Sequence, residues 1–184
     1  MMKMAAMAER MPDSIDLTLG EPDIPTPEII CSALYEAAKR GETHYAPGMG
    51  IPGLRAAISN YWNRRYGLNY SKDEIFVTTG GSQASYLAMQ ACLDPGDEVI
   101  ILEPFFTFYE QHVLQAGGVP VYCMSGAENG FLPDPEKIES KISKRTRAVI
   151  INSPCNPTGA VFPFELLVEI ANIASKHDLL VISD

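Results

Sequence analysis

The chain has 184 residues, 46% of them hydrophobic and 20% charged, which suits one substantial globular domain with room for a small appendage. Its 23 acidic residues against 14 basic ones leave a net charge of −9, the wrong sign for a face that grips a nucleic-acid backbone. No apolar run approaches the length of a bilayer span, so no membrane partner is expected.

The first eleven residues are rich in methionine and alanine and faintly leader-like, but Glu9 and Arg10 interrupt the apolar core before any cleavage-like site. The expectation is a cytoplasmic chain. Residues 14–25 read as a short extended piece ending in Gly20-Glu21-Pro22-Asp23. Pro25-Thr26-Pro27 then opens a helix with Ile29, Ile30, Ala33, Leu34 and Ala37 on one face and Gly41 as its stop. After a loop holding Tyr45, Pro47, Gly48 and Gly50, a second helix runs from about Pro52 to Tyr66.

From Glu74 the period changes. Apolar runs at Ile75–Thr79, Glu98–Leu102, Val119–Cys123, Ala148–Ile151 and Leu179–Ser183 read as strands. Helices are expected between them at Ser82–Leu93, Tyr109–Ala116, Pro135–Ile142 and Pro163–His177. Strands separated by helices imply right-handed crossovers, so the fold class is α/β, a mainly parallel sheet with helices on both faces. The last strand is expected to be buried on both faces.

Three segments stand at the carboxyl ends of strands, where open α/β sheets bind ligands. Thr78-Thr79-Gly80-Gly81-Ser82 precedes a helix; it is either a tight turn or an anion cradle of bare backbone and free helix amides, with Ser82 adding a hydroxyl. It has neither the dinucleotide spacing nor the Walker lysine. Pro104-Phe105-Phe106-Thr107-Phe108-Tyr109 puts four aromatics in five positions, either core packing or a flat face for a planar ligand. Asn152-Ser-Pro-Cys-Asn-Pro-Thr-Gly159 offers two asparagines and a threonine on a Pro-rich turn. Asp184 follows the last strand, as a loop cap or as a carboxylate aimed at a buried cationic nitrogen.

Other chemistry is not visible. Cys31, Cys92, Cys123 and Cys155 lack paired spacing, and three lie in or beside apolar runs, so buried free thiols in a reducing compartment are expected. His44, His112 and His177 have no metal-ligand spacing, and His177 sits where a helix dipole favours it. No metal site and no Ser-His-Asp or Cys-His set is expected.

Taken in succession, the Gly-Gly-Ser turn, the aromatic strand end, Asn156-Pro157-Thr158-Gly159 and the strand-terminal Asp184 closely resemble the large domain of fold-type-I, class I aminotransferases. Leu-Gly-Glu-Pro-Asp at 19–23 and His-Tyr-Ala-Pro-Gly-Met-Gly-Ile-Pro-Gly-Leu-Arg at 44–55 extend the resemblance to the aspartate and aromatic aminotransferase branch. The resemblance runs from Ile15 to Asp184.

It implies pyridoxal 5′-phosphate as cofactor and transfer of an amino group from an amino acid to a 2-oxo acid. By the same resemblance Gly81 and Ser82 hold the cofactor phosphate and Phe106 stacks on the pyridine ring. Asn156 contacts the ring's phenolic oxygen and the substrate carboxylate, with a cis bond before Pro157. Asp184 pairs with the protonated ring nitrogen, Gly20 lines the substrate pocket, and Tyr45 reaches the phosphate of the neighbouring subunit in a homodimer. Residues 1–40 correspond to an N-terminal arm and small-domain segment, and 41–184 to the cofactor-binding large domain. The Schiff-base lysine of the family has no counterpart among the chain's lysines, so the expectation is an N-terminal portion, inactive by itself and with its large domain incomplete at the C-terminus. Carbon–sulfur lyases and aminocyclopropane-carboxylate-type synthases share these motifs, and a non-catalytic remnant that binds a partner is a further alternative.

Overall fold

The β-branched runs at Val99–Leu102 and Ala148–Ile151 become central strands because each alternates its side chains between two helical layers. The computed structural model describes residues 2–8, 10, 11, 13–15 and 20–184. Positions 16–19 of the expected extended piece lie outside the described residues. The chain divides into two compact units, Met1–Ala46 and Pro47–Asp184.

In the first unit, helix α1 (Met2–Ala8) stands where the sequence suggested only a leader-like stretch. Helix α2 (Glu28–Lys39) begins after Pro27 as expected, and none of its residues is buried.

In the second unit, α3 (Pro52–Tyr66) starts on a proline and ends at Gly67 in the left-handed conformation. Arg55 on α3 is 8% exposed. Its guanidinium donates to the carbonyls of Lys72 (2.9 Å) and Ile75 (3.0 Å) and pairs with Asp73 at 2.9 Å. This clamp fixes the approach to the next helix, α4 (Gly81–Cys92). The alternating series follows: β1 (Glu98–Glu103), α5 (Phe108–Gln115), β2 (Val119–Met124), α6 (Pro135–Ser140), β3 (Thr146–Ile151), α7 (Phe164–Lys176) and β4 (Leu180–Ser183).

The sheet order is β2-β1-β3-β4 and every pair is parallel, with Ile100 opposite Val121 on one side and Val149 on the other. The core splits by strand parity. Val99, Ile101, Ala148 and Ile150 pack with Met89 of α4 and with Tyr109 and Val113 of α5. Ile100, Leu102, Val149 and Ile151 pack on the opposite face with Ile138 of α6 and Ile170 of α7. Helices therefore cover both faces, as the period-2 pattern on central strands requires.

Two expectations need correction. Ile75–Thr79 is not a strand of this sheet; its Val77 amide bonds the Met49 carbonyl at 3.0 Å instead. Gly50 permits that approach, since its φ is +101° and a Cβ there would meet Val77 at 2.6 Å. β4 is not buried on both faces either. It is the edge of the sheet, with Leu180 and Val181 exposed.

The thiols are free, but only Cys123 is buried; Cys92 and Cys155 are half-buried and Cys31 is exposed. His177 stands at the C-cap of α7, the helix end expected from sequence, and its Nε2 also lies 2.7 Å from a Glu139 carboxylate oxygen. Among the described residues no helix is long and apolar enough to cross a membrane, and no cluster could hold a metal ion.

Candidate functional site

The sheet order creates a crevice. β1 leads left to β2 through α5 on one face, while β3 leads right to β4 through α7 on the other. The chain thus diverges at the carboxyl ends of β1 and β3, the switch point where doubly wound sheets take ligands. The loops after these strands are tied together, because the Cys155 thiol donates to the Pro104 carbonyl at 3.4 Å. Beneath them Ile101, Tyr109, Ile150, Asn152 and Phe162 line a cavity of about 10 Å³, room for one water and too small for a cofactor.

Helix α4 ends just before β1 begins, so it runs antiparallel to that strand. Twelve residues at about 1.5 Å each span about 18 Å, close to the length of a six-residue strand. Its first turn therefore lies towards the carboxyl edge. Gly80 precedes it with φ +84°, and no side chain caps the helix. The Thr79 amide donates to Gln83 Oε1 at 2.6 Å and the Thr78 hydroxyl donates to the Gly80 carbonyl at 3.0 Å, which folds the entry back on itself. A Cβ built on Gly81 meets nothing within 4 Å. Gly81 and Ser82 thus stand at an uncapped helix start with open space before it, where amide donors and the helix dipole favour an anion.

The aromatic run separates into roles. Phe105 stacks on Tyr122 at 5.8 Å, and Phe108 stacks on His112 at 6.0 Å. Phe106 makes only tilted contacts, with Phe108 at 5.1 Å and Tyr109 at 5.6 Å, so among the described rings none stacks parallel to it. His112 also joins α5 to α4, its Nδ1 lying 2.9 Å from the Ser85 hydroxyl, and burial lowers its pKa.

Asn156 and Asp184 are joined by a residue that the sequence reading left without a role. The Asn152 side chain accepts the Asn156 amide at 2.6 Å and donates to the Asp184 carbonyl at 3.2 Å. The Asp184 amide in turn bonds the Ile151 carbonyl at 2.9 Å, which seats Asp184 beside the end of β3. Tyr109, only 2% exposed, donates its hydroxyl to Asp184 Oδ2. A contact path Phe106–Tyr109–Asp184–Asn152–Asn156 therefore runs along the carboxyl edge. The bond between Asn156 and Pro157 is cis, as are those before Pro104 and Pro154. Gly20 and Tyr45 belong to the Met1–Ala46 unit, where both are exposed.

Asn152 had a usable signal: two asparagines four apart in one turn can bridge the loop. Tyr109 had none, since a fourth aromatic beside three phenylalanines reads as packing.

Comparison with known proteins settles the family. The profile of "Aminotransferase class I and II" matches residues 12–184. The chain belongs to this family. The aspartate/prephenate aminotransferase of Thermus thermophilus is 47% identical over 172 residues, covering 94% of this chain and 45% of that protein. The aspartate aminotransferase of Pyrococcus horikoshii is 42% identical, covering 96% of the chain and 45% of its own length. The Thermus thermophilus aspartate aminotransferase structure with maleate superimposes with a TM-score of 0.94 at 45% identity, over 99% of this chain and 48% of that one. This chain thus spans about half the length of these aminotransferases, and its parallel sheet with flanking helices matches the fold of that structure.

Proposed function

We propose that the carboxyl edge of this sheet binds pyridoxal 5′-phosphate and serves transfer of an amino group from an amino acid to a 2-oxo acid. The observation that carries the reading is the contact path from Phe106 through Tyr109 and Asp184 to Asn156.

The donor set fits the group. The first-turn amides of α4 at Gly81 and Ser82, with the Ser82 hydroxyl, suit a phosphate dianion. Phe106 offers a ring without a parallel partner for a flat heteroaromatic. The Asn156 side chain can donate to a phenolate oxygen, and the Asp184 carboxylate can hold a proton on the ring nitrogen. When bound, the cofactor supplies an electron-withdrawing ring that stabilises the negative charge left at the α-carbon. Asp184 sustains that withdrawal by keeping the ring nitrogen cationic, and the α4 amides anchor the opposite end of the ligand.

In the same proposal Gly20 lines the substrate pocket and Tyr45 reaches the phosphate of a neighbouring subunit in a cytoplasmic homodimer. Residues 1–40 form the arm and small-domain segment, and 41–184 the large domain. The relatives point to aspartate, prephenate or aromatic amino compounds as substrates.

Of the lysines, Lys144 precedes β3 at the amino edge of the sheet, Lys137 and Lys141 lie on or just after α6, and Lys176 pairs with Glu139 at 2.8 Å. By the family resemblance, none of the seven lysines, at positions 3, 39, 72, 137, 141, 144 and 176, sits in the motif that carries the Schiff-base lysine. The 184-residue chain should therefore bind the cofactor without turnover.

The test fuses this chain to the C-terminal remainder of the Thermus thermophilus enzyme and screens amino donors against 2-oxoglutarate. Amino transfer in the fusion, none in the 184-residue chain, and loss on Asp184→Ala in the fusion support the reading. Keto-acid-independent release of pyruvate and ammonia, or turnover by the short chain, overturns it.

A further inference from the structure

We infer that Tyr109 is the positioning residue of the ring site: it holds Asp184 by one oxygen while its own ring braces Phe106. The inference rests on the cofactor reading above. Tyr109 lies on the first turn of α5, and its amide bonds the Phe106 carbonyl at 3.0 Å. Its ring meets Phe106 at 78°, and its hydroxyl donates to Asp184 Oδ2, 75 positions along the chain. One buried side chain thus sets two residues that would meet the same planar ligand, one from its face and one from its edge.

The contact is more than satisfaction of a buried phenol. A carboxylate on an exposed sheet edge turns freely unless one oxygen is held, and a hydroxyl donating to it is a strong, charge-assisted anchor. With Oδ2 occupied, Asp184 Oδ1 has no hydrogen-bond partner among the described residues and remains an acceptor for an N–H donor. Burial, then the hydrogen bond and charge of Asp184, push the Tyr109 phenol up from its ordinary 10.0. The hydroxyl therefore stays a donor throughout the neutral range. Preorganisation of this kind raises affinity by removing an ordering cost at binding.

The experiment compares two ligands and two variants. The ligands are pyridoxamine 5′-phosphate and its 1-deaza analogue, in which a C–H replaces the ring nitrogen; both are titrated into the 184-residue chain by calorimetry. Tyr109→Phe keeps the ring and removes the hydroxyl. Tyr109→Leu removes both.

The wild type should prefer the nitrogen-bearing ligand. Tyr109→Phe should weaken pyridoxamine phosphate by about tenfold, the low end for a charged hydrogen bond with an exposed partner, and leave the deaza analogue unchanged. Tyr109→Leu should weaken both ligands, because Phe106 loses its brace. Equal weakening of both ligands by Tyr109→Phe would mean general loosening and overturn the inference. So would retention of the wild-type preference. A wild type with no preference instead overturns the Asp184 role in the cofactor reading, and this inference falls with it. Should Tyr109→Phe fail to fold, the ring-carbon resonance of Tyr109 in ¹³C-tyrosine-labelled protein decides. It must shift on Asp184→Asn, and an unmoved resonance refutes the contact.

Discussion

Removing the Asn152 side chain should loosen the cofactor site without unfolding the domain. Asn152→Ala deletes two hydrogen bonds, the 2.6 Å bond from the Asn156 amide and the 3.2 Å bond to the Asp184 carbonyl. Each contributes about 0.5–1.5 kcal/mol net, and since Asn156 and Asp184 are exposed, the lower half of that range applies. The pair is then worth about 1–2 kcal/mol, which sets the ordering cost passed on to the ligand. That corresponds to about 5–30-fold weaker binding of pyridoxamine phosphate. Asn152→Asp is the informative companion, because it keeps the acceptor for Asn156 but sets a carboxylate oxygen against the Asp184 carbonyl, so its loss should be at least as large as that of Asn152→Ala. Titration calorimetry measures both, and a urea melt should show a stability loss no larger than the bonds themselves. Unchanged affinity in Asn152→Ala would refute the bridging role. Global unfolding would show that Asn152 serves the fold rather than the site.

Three further outcomes follow from single contacts. Gly81→Asp should leave the fold intact or slightly more stable, because a Cβ there meets nothing and an acidic first turn suits the helix dipole. The same carboxylate should repel a phosphate, so ³¹P NMR should show more than about tenfold weaker cofactor binding alongside a preserved melting temperature. Ile100→Ala, at a fully buried position in the middle of β1, should cost about 2–5 kcal/mol in urea denaturation with an unchanged m-value. Glu98 is 6% exposed, and hydrogen bonds from Ser143 and Arg145 hold its carboxyl below the ordinary 4.5. The stability it contributes is thus present above pH 4.5 and lost as pH falls through the lower, folded-state value. Denaturation midpoints of Glu98→Gln should accordingly decline less steeply than wild type below that pH.

Sequence patterning revealed the alternating series because central strands carry unbroken apolar runs. Val99–Leu102 and Ala148–Ile151 must be apolar on both faces to sit between two helix layers. The same rule misled at two other segments. Leu179–Ser183 has the composition of a buried strand yet leaves Leu180 and Val181 exposed as the last strand described, and Ile75–Thr79 has strand composition without a strand partner among the described residues. Composition records what a segment can pack against, and neighbours decide whether it does. Glycine and proline positions marked the turns at the carboxyl edge because backbone geometry restricts which residues serve there. The Tyr109–Asp184 and Asn152–Asp184 contacts were not legible. They cross 75 and 32 positions, and their register is set only once β3 and β4 pair.

The central claim is that one edge of this sheet receives the cofactor, and amide shift mapping tests it most directly. In a ¹H–¹⁵N spectrum titrated with pyridoxamine phosphate, the account predicts saturable shifts at Gly81, Ser82 and Gln83, at Phe106 through Tyr109, and at Asn152, Asn156 and Asp184. Residues at the opposite edge, such as Glu98, Lys144 and Thr146, should remain still. Shifts centred on that opposite edge, or an unaltered spectrum at millimolar ligand, would contradict the account.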